Sequence, residues 1–213
     1  MSANGPKVFG IGFQKTGTSS LDEAFRILGY RTDKGVFINA PAKRDSIFID
    51  PPLTNTKVLE RVLPIAQVKD AFSDNPWPLL YRELDALFPD SKFVLTVRDS
   101  QRWLASLVRH YGDREGNVLE WLYGCRSIPG NEAQCLAVYE AHNVAVRKYF
   151  ASGPDALLEI DIERAPQWDA LCAFLSRPVP AKAFPHSNAA RERERRRAGV
   201  WRRVKDKVRG VSA

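Results

Sequence analysis

Short apolar runs alternate along the chain with longer segments in which apolar side chains recur every three or four residues. The short runs are typical of buried strands and predict strands at residues 8–11, 65–72, 92–97 and 156–161. The helical spacing predicts helices at residues 21–28, 54–63, 76–88, 131–150 and 165–175, with a further helix directly after the third strand. This alternation indicates an α/β fold, a three-layer sandwich with a central parallel sheet flanked by helices.

One long segment, residues 30–52, carries neither pattern. Gly35, Pro41, Pro51 and Pro52 interrupt it, so we expect an irregular loop. A loop of this length in a compact domain is more often functional than merely connecting.

The turn between the first strand and the first helix has the composition of an anion-binding loop. A helix N-terminus offers backbone N–H groups without intrahelical partners and a partial positive charge, which favour a bound anion. A glycine here lets the backbone approach a ligand closely, hydroxyl groups add donors, and a lysine adds a full charge. We therefore predict a phosphate or sulfate site formed by Lys15, Thr16, Gly17, Thr18, Ser19 and Ser20.

This loop differs from the nucleoside triphosphatase pattern G-x-x-x-x-G-K-[ST]. Gly12 and Gly17 have the required separation, but Thr18 stands where that pattern has lysine, and Lys15 lies inside the loop. The alternative is a serine-rich turn that only caps the helix.

A second candidate anion site follows the strand at 92–97. Arg98 comes at the carboxyl end of this strand, and Ser106 lies two turns into the next helix. An arginine in this position can bind a phosphate through two parallel hydrogen bonds, and a serine on the facing side of the helix can add a donor. The alternative is a local ion pair between Arg98 and Asp99 with an N-cap.

Together these two motifs resemble the sulfotransferase superfamily, and the similarity covers most of residues 8–188. The resemblance implies a P-loop-like fold and 3′-phosphoadenosine 5′-phosphosulfate (PAPS) as sulfuryl donor, with no metal requirement. It implies that Lys15 to Ser20 hold the 5′-phosphosulfate, with Lys15 assisting the leaving group, and that Arg98 and Ser106 hold the 3′-phosphate. The product nucleotide is then 3′-phosphoadenosine 5′-phosphate (PAP).

The chain departs from this family at the catalytic base. Cytosolic members carry Lys-Thr-His-Leu-Pro on the second strand, whereas this chain has Phe72-Ser73-Asp74-Asn75-Pro76. If the two motifs align, Asp74 replaces the histidine, as a carboxylate does in carbohydrate sulfotransferases. Asp70 is the second candidate. From the residues alone, Asp74 could also cap the helix that follows, and it could have both roles together. His142, alone on a predicted helix, is more typical of a structural residue than of a catalyst.

The charge distribution sets one segment apart from the domain. The chain has a net charge of +7, and residues 191–209 alone hold ten basic and three acidic residues. We therefore expect an α/β domain over 1–188 and a basic amphipathic helix over 189–213. Three interpretations of this helix stay open: it contacts a membrane surface or partner, it folds back with its charges in water, or it places arginines over the cofactor phosphates.

Composition and charge argue against a membrane-spanning protein, a zinc protein and a nucleic-acid-binding protein. No apolar run reaches the length of a membrane span and the N-terminus has no apolar signal core, so we expect a cytoplasmic protein, with membrane association only through the basic helix. Three cysteines predict reduced, mostly buried thiols and no zinc site. Confinement of the positive charge to one terminal helix argues against nucleic acid as a partner.

Two other functions remain open from the sequence alone. One is a P-loop kinase or another ATP-dependent phosphotransferase, which would need Mg²⁺. The other is a non-catalytic anion-binding or membrane-binding module that depends on the basic segment. For a sulfotransferase, the acceptor hydroxyl or amine could belong to a small molecule, a lipid or a glycan.

Overall fold

The computed structural model describes residues 6–39, 46–164 and 167–186 and has the expected α/β architecture. Five parallel strands form the main sheet in the order β2-β5-β1-β6-β7, and β3 pairs in parallel with β4 apart from it. The strands are β1 (Val8–Gly10), β2 (Thr32–Asp33), β3 (Phe37–Ile38), β4 (Ser46–Ile47), β5 (Ala71–Phe72), β6 (Lys92–Thr96) and β7 (Leu157–Ile160).

The sheet is built outward from β1. From β1 the chain goes to β2 and β5 on one side, and then crosses to β6 and β7 on the other. Parallel α/β sheets bind ligands where the direction of winding changes, beyond the carboxyl ends of the strands. The loop that follows β1 lies at this point. The strand predicted at 92–97 is β6, which lies inside the sheet between β1 and β7, and Phe93, Val94 and Leu95 are fully buried in it.

Helices cover both faces of the sheet. Phe25 of α1 and Leu171 of α7 pack with Val94 on one face, whereas α2, α3 and α6 pack with Phe9 and Phe93 on the other. A third cluster joins α4, α5 and α6 around the loop after β1. The helices are α1 (Thr18–Ile27), α2 (Asn55–Val68), α3 (Tyr81–Leu87), α4 (Ser100–Tyr111), α5 (Asn117–Tyr123), α6 (Glu132–Tyr149) and α7 (Gln167–Leu175).

Two predicted boundaries are wrong. The helix predicted for 54–63 continues through Pro64 to Val68, so the predicted strand at 65–72 is reduced to Ala71–Phe72. The helix continues because Val58, Val62 and Ala66, four residues apart, are all fully buried against the core. This packing outweighs the backbone hydrogen bond that proline removes.

The segment expected to be irregular, 30–52, contains three short strands within its described residues. Of these, β2 adds an edge to the main sheet, because residues 32–33 pair with β5. The predicted helix at 76–88 is divided into a 3₁₀ turn at Trp77–Leu80 and the α-helix α3.

Other expectations concern the thiols, the membrane and the terminal segment. All three cysteines are buried and free. No described helix has the length and apolarity needed to span a bilayer. The boundary predicted at residue 188 and the basic helix predicted for 189–213 lie outside the described residues.

His142 has a structural role in this fold. The residue is 8 % exposed, its ring packs against Phe13, and its Nε2 lies 2.8 Å from the carbonyl oxygen of Ile11. Because a carbonyl oxygen only accepts, Nε2 carries the proton and the neutral ring donates. Burial lowers the pKa of His142, and the hydrogen bond to Ile11 opposes this only partly. His142 therefore ties α6 to the end of β1.

The lowered pKa of His142 predicts a pH dependence of stability. Because the unfolded chain takes up this proton near pH 6.5 and the folded protein does so only at lower pH, the stabilisation is complete above 6.5 and is lost as the pH falls below it. The loss amounts to at most about 1.4 kcal/mol per pH unit for one group. Urea unfolding between pH 7.5 and 5.5 should show a smaller pH-dependent loss in His142→Gln than in wild type; equal pH dependence would contradict this assignment.

Candidate functional site

The loop between β1 and α1 presents backbone donors at the carboxyl edge of the sheet. Lys15 and Gly17 have left-handed backbone conformations, with φ of 75° and 105°. Gly17 is the N-cap of α1 and supplies no side-chain cap, and the first turn contains no acidic residue. Among the described residues, the structure shows no hydrogen-bond partner for the N–H groups of Gly17 and Thr18. The N-cap thus does not support the alternative of a serine-capped helix, and anion binding at these N–H groups stays a prediction.

Buried contacts fix the shape of this loop. The hydroxyl group of Thr16 lies 2.6 Å from the carbonyl oxygen of Phe13 and 2.5 Å from Oγ1 of Thr96. The indole N–H of Trp103 donates to the carbonyl of Gln14 at 3.0 Å. Thr16 is 3 % exposed, so its side chain holds the loop against β6 instead of facing a ligand.

Asp74 lies next to the start of α1. It follows β5 in a turn, and its Oδ2 accepts a 3.0 Å hydrogen bond from the hydroxyl of Thr18. Its Oδ1 accepts from the backbone N–H of Asn75 at 2.9 Å. The structure thus places the first predicted base against the anion loop, with a carboxylate held by one bond on each oxygen.

Asp70 lies elsewhere. The residue precedes β5, at the amino end of that strand, and is 1 % exposed. Arg31 binds its carboxylate through two hydrogen bonds of 2.7 and 2.8 Å. The second predicted base is therefore part of a structural ion pair at the opposite edge of the sheet, because the strand begins only after it.

Arg98 connects the second predicted anion motif to the first. Its Nη1 donates to the carbonyl oxygen of Lys15 at 3.2 Å, and its backbone exchanges hydrogen bonds of 2.9 Å with the hydroxyl of Tyr139. Its Nη2 lies 2.8 Å from Oε1 of Glu163, and its Nε is buried with no partner among the described atoms. Ser106 lies partly buried on α4.

An open cleft of about 550 Å³ extends from Arg98 along the carboxyl ends of β6 and β7. Its volume lies within the range usual for small-molecule sites. Side chains from β7, α6 and the following turn line it, among them Asn143, Arg147, Asp161 and Arg164. The cleft offers space for a small molecule beside Arg98.

Sequence reasoning missed His110 and Tyr111 at the end of α4. The pKa of His110 is lowered by burial and by the positive charges of Lys15 and Arg114, and Asp74 opposes this lowering. The hydroxyl of Tyr111 accepts from Nε2 of Gln14 at 3.2 Å, and burial raises the pKa of Tyr111 to about 12. His110 is four residues after Ser106, a helical spacing that could have indicated a shared face.

Comparisons with known proteins indicate the family of this chain. The family model described as "Sulfotransferase domain" matches two overlapping segments, residues 7–128 and 116–193. The Ava biosynthesis cluster protein M of Aspergillus versicolor is similar to this chain, with 28% identity over 165 residues. That alignment covers 65% of this chain and 62% of the relative, so the chain spans less than two thirds of that protein's length.

Gly12 is the position where the loop tolerates no side chain. A Cβ atom added there would lie 2.1 Å from Oγ1 and 2.3 Å from the carbonyl oxygen of Thr96. Gly12→Ala should therefore destabilise the fold by about 3 kcal/mol, the upper end of the range usual for overpacking, because backbone on β6 would have to move. Gly153→Ala is the matched control, since an added Cβ there meets nothing within 4 Å. Equal unfolding midpoints in denaturant for the two variants would contradict this description of the loop.

Proposed function

We propose that this chain, which belongs to the sulfotransferase domain family, transfers a sulfuryl group from PAPS to a hydroxyl or amine acceptor. The main support for the proposal is the hydrogen bond from Arg98 to the carbonyl of Lys15. It joins a loop suited to one anion and an arginine suited to another at the same edge of the sheet. PAPS carries two such groups, the 5′-phosphosulfate and the 3′-phosphate.

The residues present fit this cofactor. The first-turn N–H groups of α1 and the ammonium group of Lys15 would hold the 5′ end. The guanidinium of Arg98, whose buried Nε still has a donor to offer, and the hydroxyl of Ser106 would hold the 3′-phosphate. PAPS supplies an activated sulfuryl group on a phosphate leaving group.

Lys15 and the loop would stabilise the charge that develops on the leaving phosphate as the sulfuryl group departs. Donors fixed in advance by the buried contacts of Thr16 are effective here, because they need no reorganisation during the reaction. The loop also sets the direction of attack, since a ligand fixed at both anionic ends presents its sulfur toward one side only.

Asp74 would accept the proton of the acceptor. Its carboxylate is held in place by Thr18 and Asn75, and each oxygen retains a lone pair for a further bond. The hydrogen bond from the Thr18 hydroxyl sets the distance between the Asp74 carboxylate and the loop. Thr18 lies in the first turn of α1, beside the position proposed for the cofactor. The acceptor, from a small molecule, a lipid or a glycan, would enter between Asp74 and Lys15.

The cofactor assignment predicts a defined nucleotide preference. Without added metal, calorimetric titration should show that PAP binds at least tenfold more tightly than AMP, because each charge-assisted hydrogen bond to the 3′-phosphate contributes about 1.5–3 kcal/mol. Arg98→Ala should remove this preference. Arg126→Ala, which alters an exposed ion pair with Glu120 on α5, should leave it intact. Tighter binding of ATP with Mg²⁺ than of PAP would contradict the proposal and favour a phosphotransferase.

If Asp74 is the base, its replacement should slow sulfuryl transfer while nucleotide binding changes little. Asp74→Asn keeps the size of the side chain but removes its ability to take a proton, so the rate of sulfuryl transfer should fall about 10²–10⁴-fold. The affinity for PAP should change less than about threefold, since the loop is intact. Transfer from ³⁵S-labelled PAPS to a panel of phenols, alcohols and amines measures the first quantity, and calorimetry the second. Unchanged transfer in this variant would exclude Asp74 as the base.

A further inference from the structure

The carboxylate of Glu163 bridges two arginines at the predicted 3′-phosphate site. Its Oε1 lies 2.8 Å from Nη2 of Arg98, and its Oε2 lies 3.0 Å from Nη2 of Arg102. Arg102 is one helical turn before Ser106 on α4. An oxyanion of the protein therefore contacts the same guanidinium that the proposed function assigns to an oxyanion of the ligand.

A short turn after β7 fixes Glu163 in this position. The backbone N–H of Glu163 donates to Oδ1 of Asp161 at 2.9 Å, and the N–H of Arg164 donates to the carbonyl of Asp161 at 3.0 Å. Ile162, which is 4 % exposed, lies over the anion loop, so that a Cβ at Gly17 would be only 3.1 Å from its side chain. The turn thus contacts both anion sites, through Ile162 at the loop and through Glu163 at Arg98.

From these contacts we infer that Glu163 competes with the 3′-phosphate and is exchanged for it when the nucleotide binds. The inference rests on the proposed function, since it takes the ligand at Arg98 to be a 3′-phosphorylated nucleotide. A carboxylate and a phosphate both accept hydrogen bonds from a guanidinium through oxygens of similar spacing. A phosphate dianion carries more charge than the carboxylate, so it can replace the carboxylate but cannot share the site without repulsion.

The surroundings of Glu163 permit this exchange. Its side chain is 38 % exposed, so the carboxylate can turn into water, where hydration replaces its two ion pairs. Arg98 keeps its bond to Lys15 during the exchange and remains positioned for the incoming phosphate. A nucleotide with a 3′-hydroxyl has no charge with which to displace the carboxylate, so the competition acts on 3′-phosphorylated ligands alone.

The consequence is that Glu163 lowers the affinity for PAP. Glu163→Gln removes the negative charge and keeps the shape, and should tighten PAP binding about three- to tenfold, a modest effect because the ion pairs are partly exposed. Affinity for AMP should change less than twofold. Glu120→Gln, which removes a glutamate from an exposed ion pair with Arg126, is the matched control and should change neither affinity.

Calorimetry with PAP and AMP on wild type, Glu163→Gln, Glu163→Ala and Glu120→Gln tests the inference. Tighter PAP binding in both Glu163 variants, with AMP unchanged, supports it. PAP binding that is unchanged or weaker in both Glu163 variants overturns it while leaving the proposed function intact. Equal tightening of PAP and AMP also overturns it, because a general charge effect would explain both. If wild type and every variant fail to bind PAP, the proposed function fails and this inference fails with it.

Discussion

The pairing of β1 with β6 is the constraint on which the site depends. It brings the loop after β1 and the arginine after β6 to the same edge of the sheet, although Lys15 and Arg98 are 83 residues apart in the chain. Because Gly12 packs against the backbone of Thr96, the loop cannot move away from β6 without breaking this contact. The core therefore fixes the distance between the two predicted anion-binding motifs, as the proposed binding of a ligand with two anionic groups requires.

Carboxylates of the protein lie next to the positively charged groups of the candidate site. Glu163 contacts Arg98 and Arg102, and the carboxylate of Asp74 bonds Thr18 beside the loop. Arginines brought together without a counter-charge would repel each other and destabilise the folded chain. In the proposed function Asp74 stays in place and acts on the acceptor. In the further inference Glu163 gives way to the phosphate. The protein can thus be stable before the nucleotide arrives and still offer a charged site.

Local patterns in the sequence were sufficient to predict part of the fold. The apolar run of β6 predicted a buried strand, as observed, and the glycine before a helical pattern predicted the turn after β1. That this turn binds an anion stays a prediction. The apolar run 65–72 suggested a strand with Asp70 near its carboxyl end, whereas burial of Val62 and Ala66 extends α2 to Val68 and leaves Asp70 before the strand. The contact of Glu163 with Arg98 could not be predicted in this way. The two residues are distant in sequence, and the spacing of apolar residues around either one does not indicate that they meet.

A crystal structure of the protein with PAP would test the proposed arrangement of the two motifs. We expect the 5′-phosphate at the N–H groups of Gly17 and Thr18, and the 3′-phosphate on the guanidinium of Arg98 with Ser106 beside it. We also expect the carboxylate of Glu163 to have left Arg98. A nucleotide whose 3′-phosphate lies in solvent, or which binds away from the loop after β1, would contradict the claim that these two motifs recognise the two ends of one ligand.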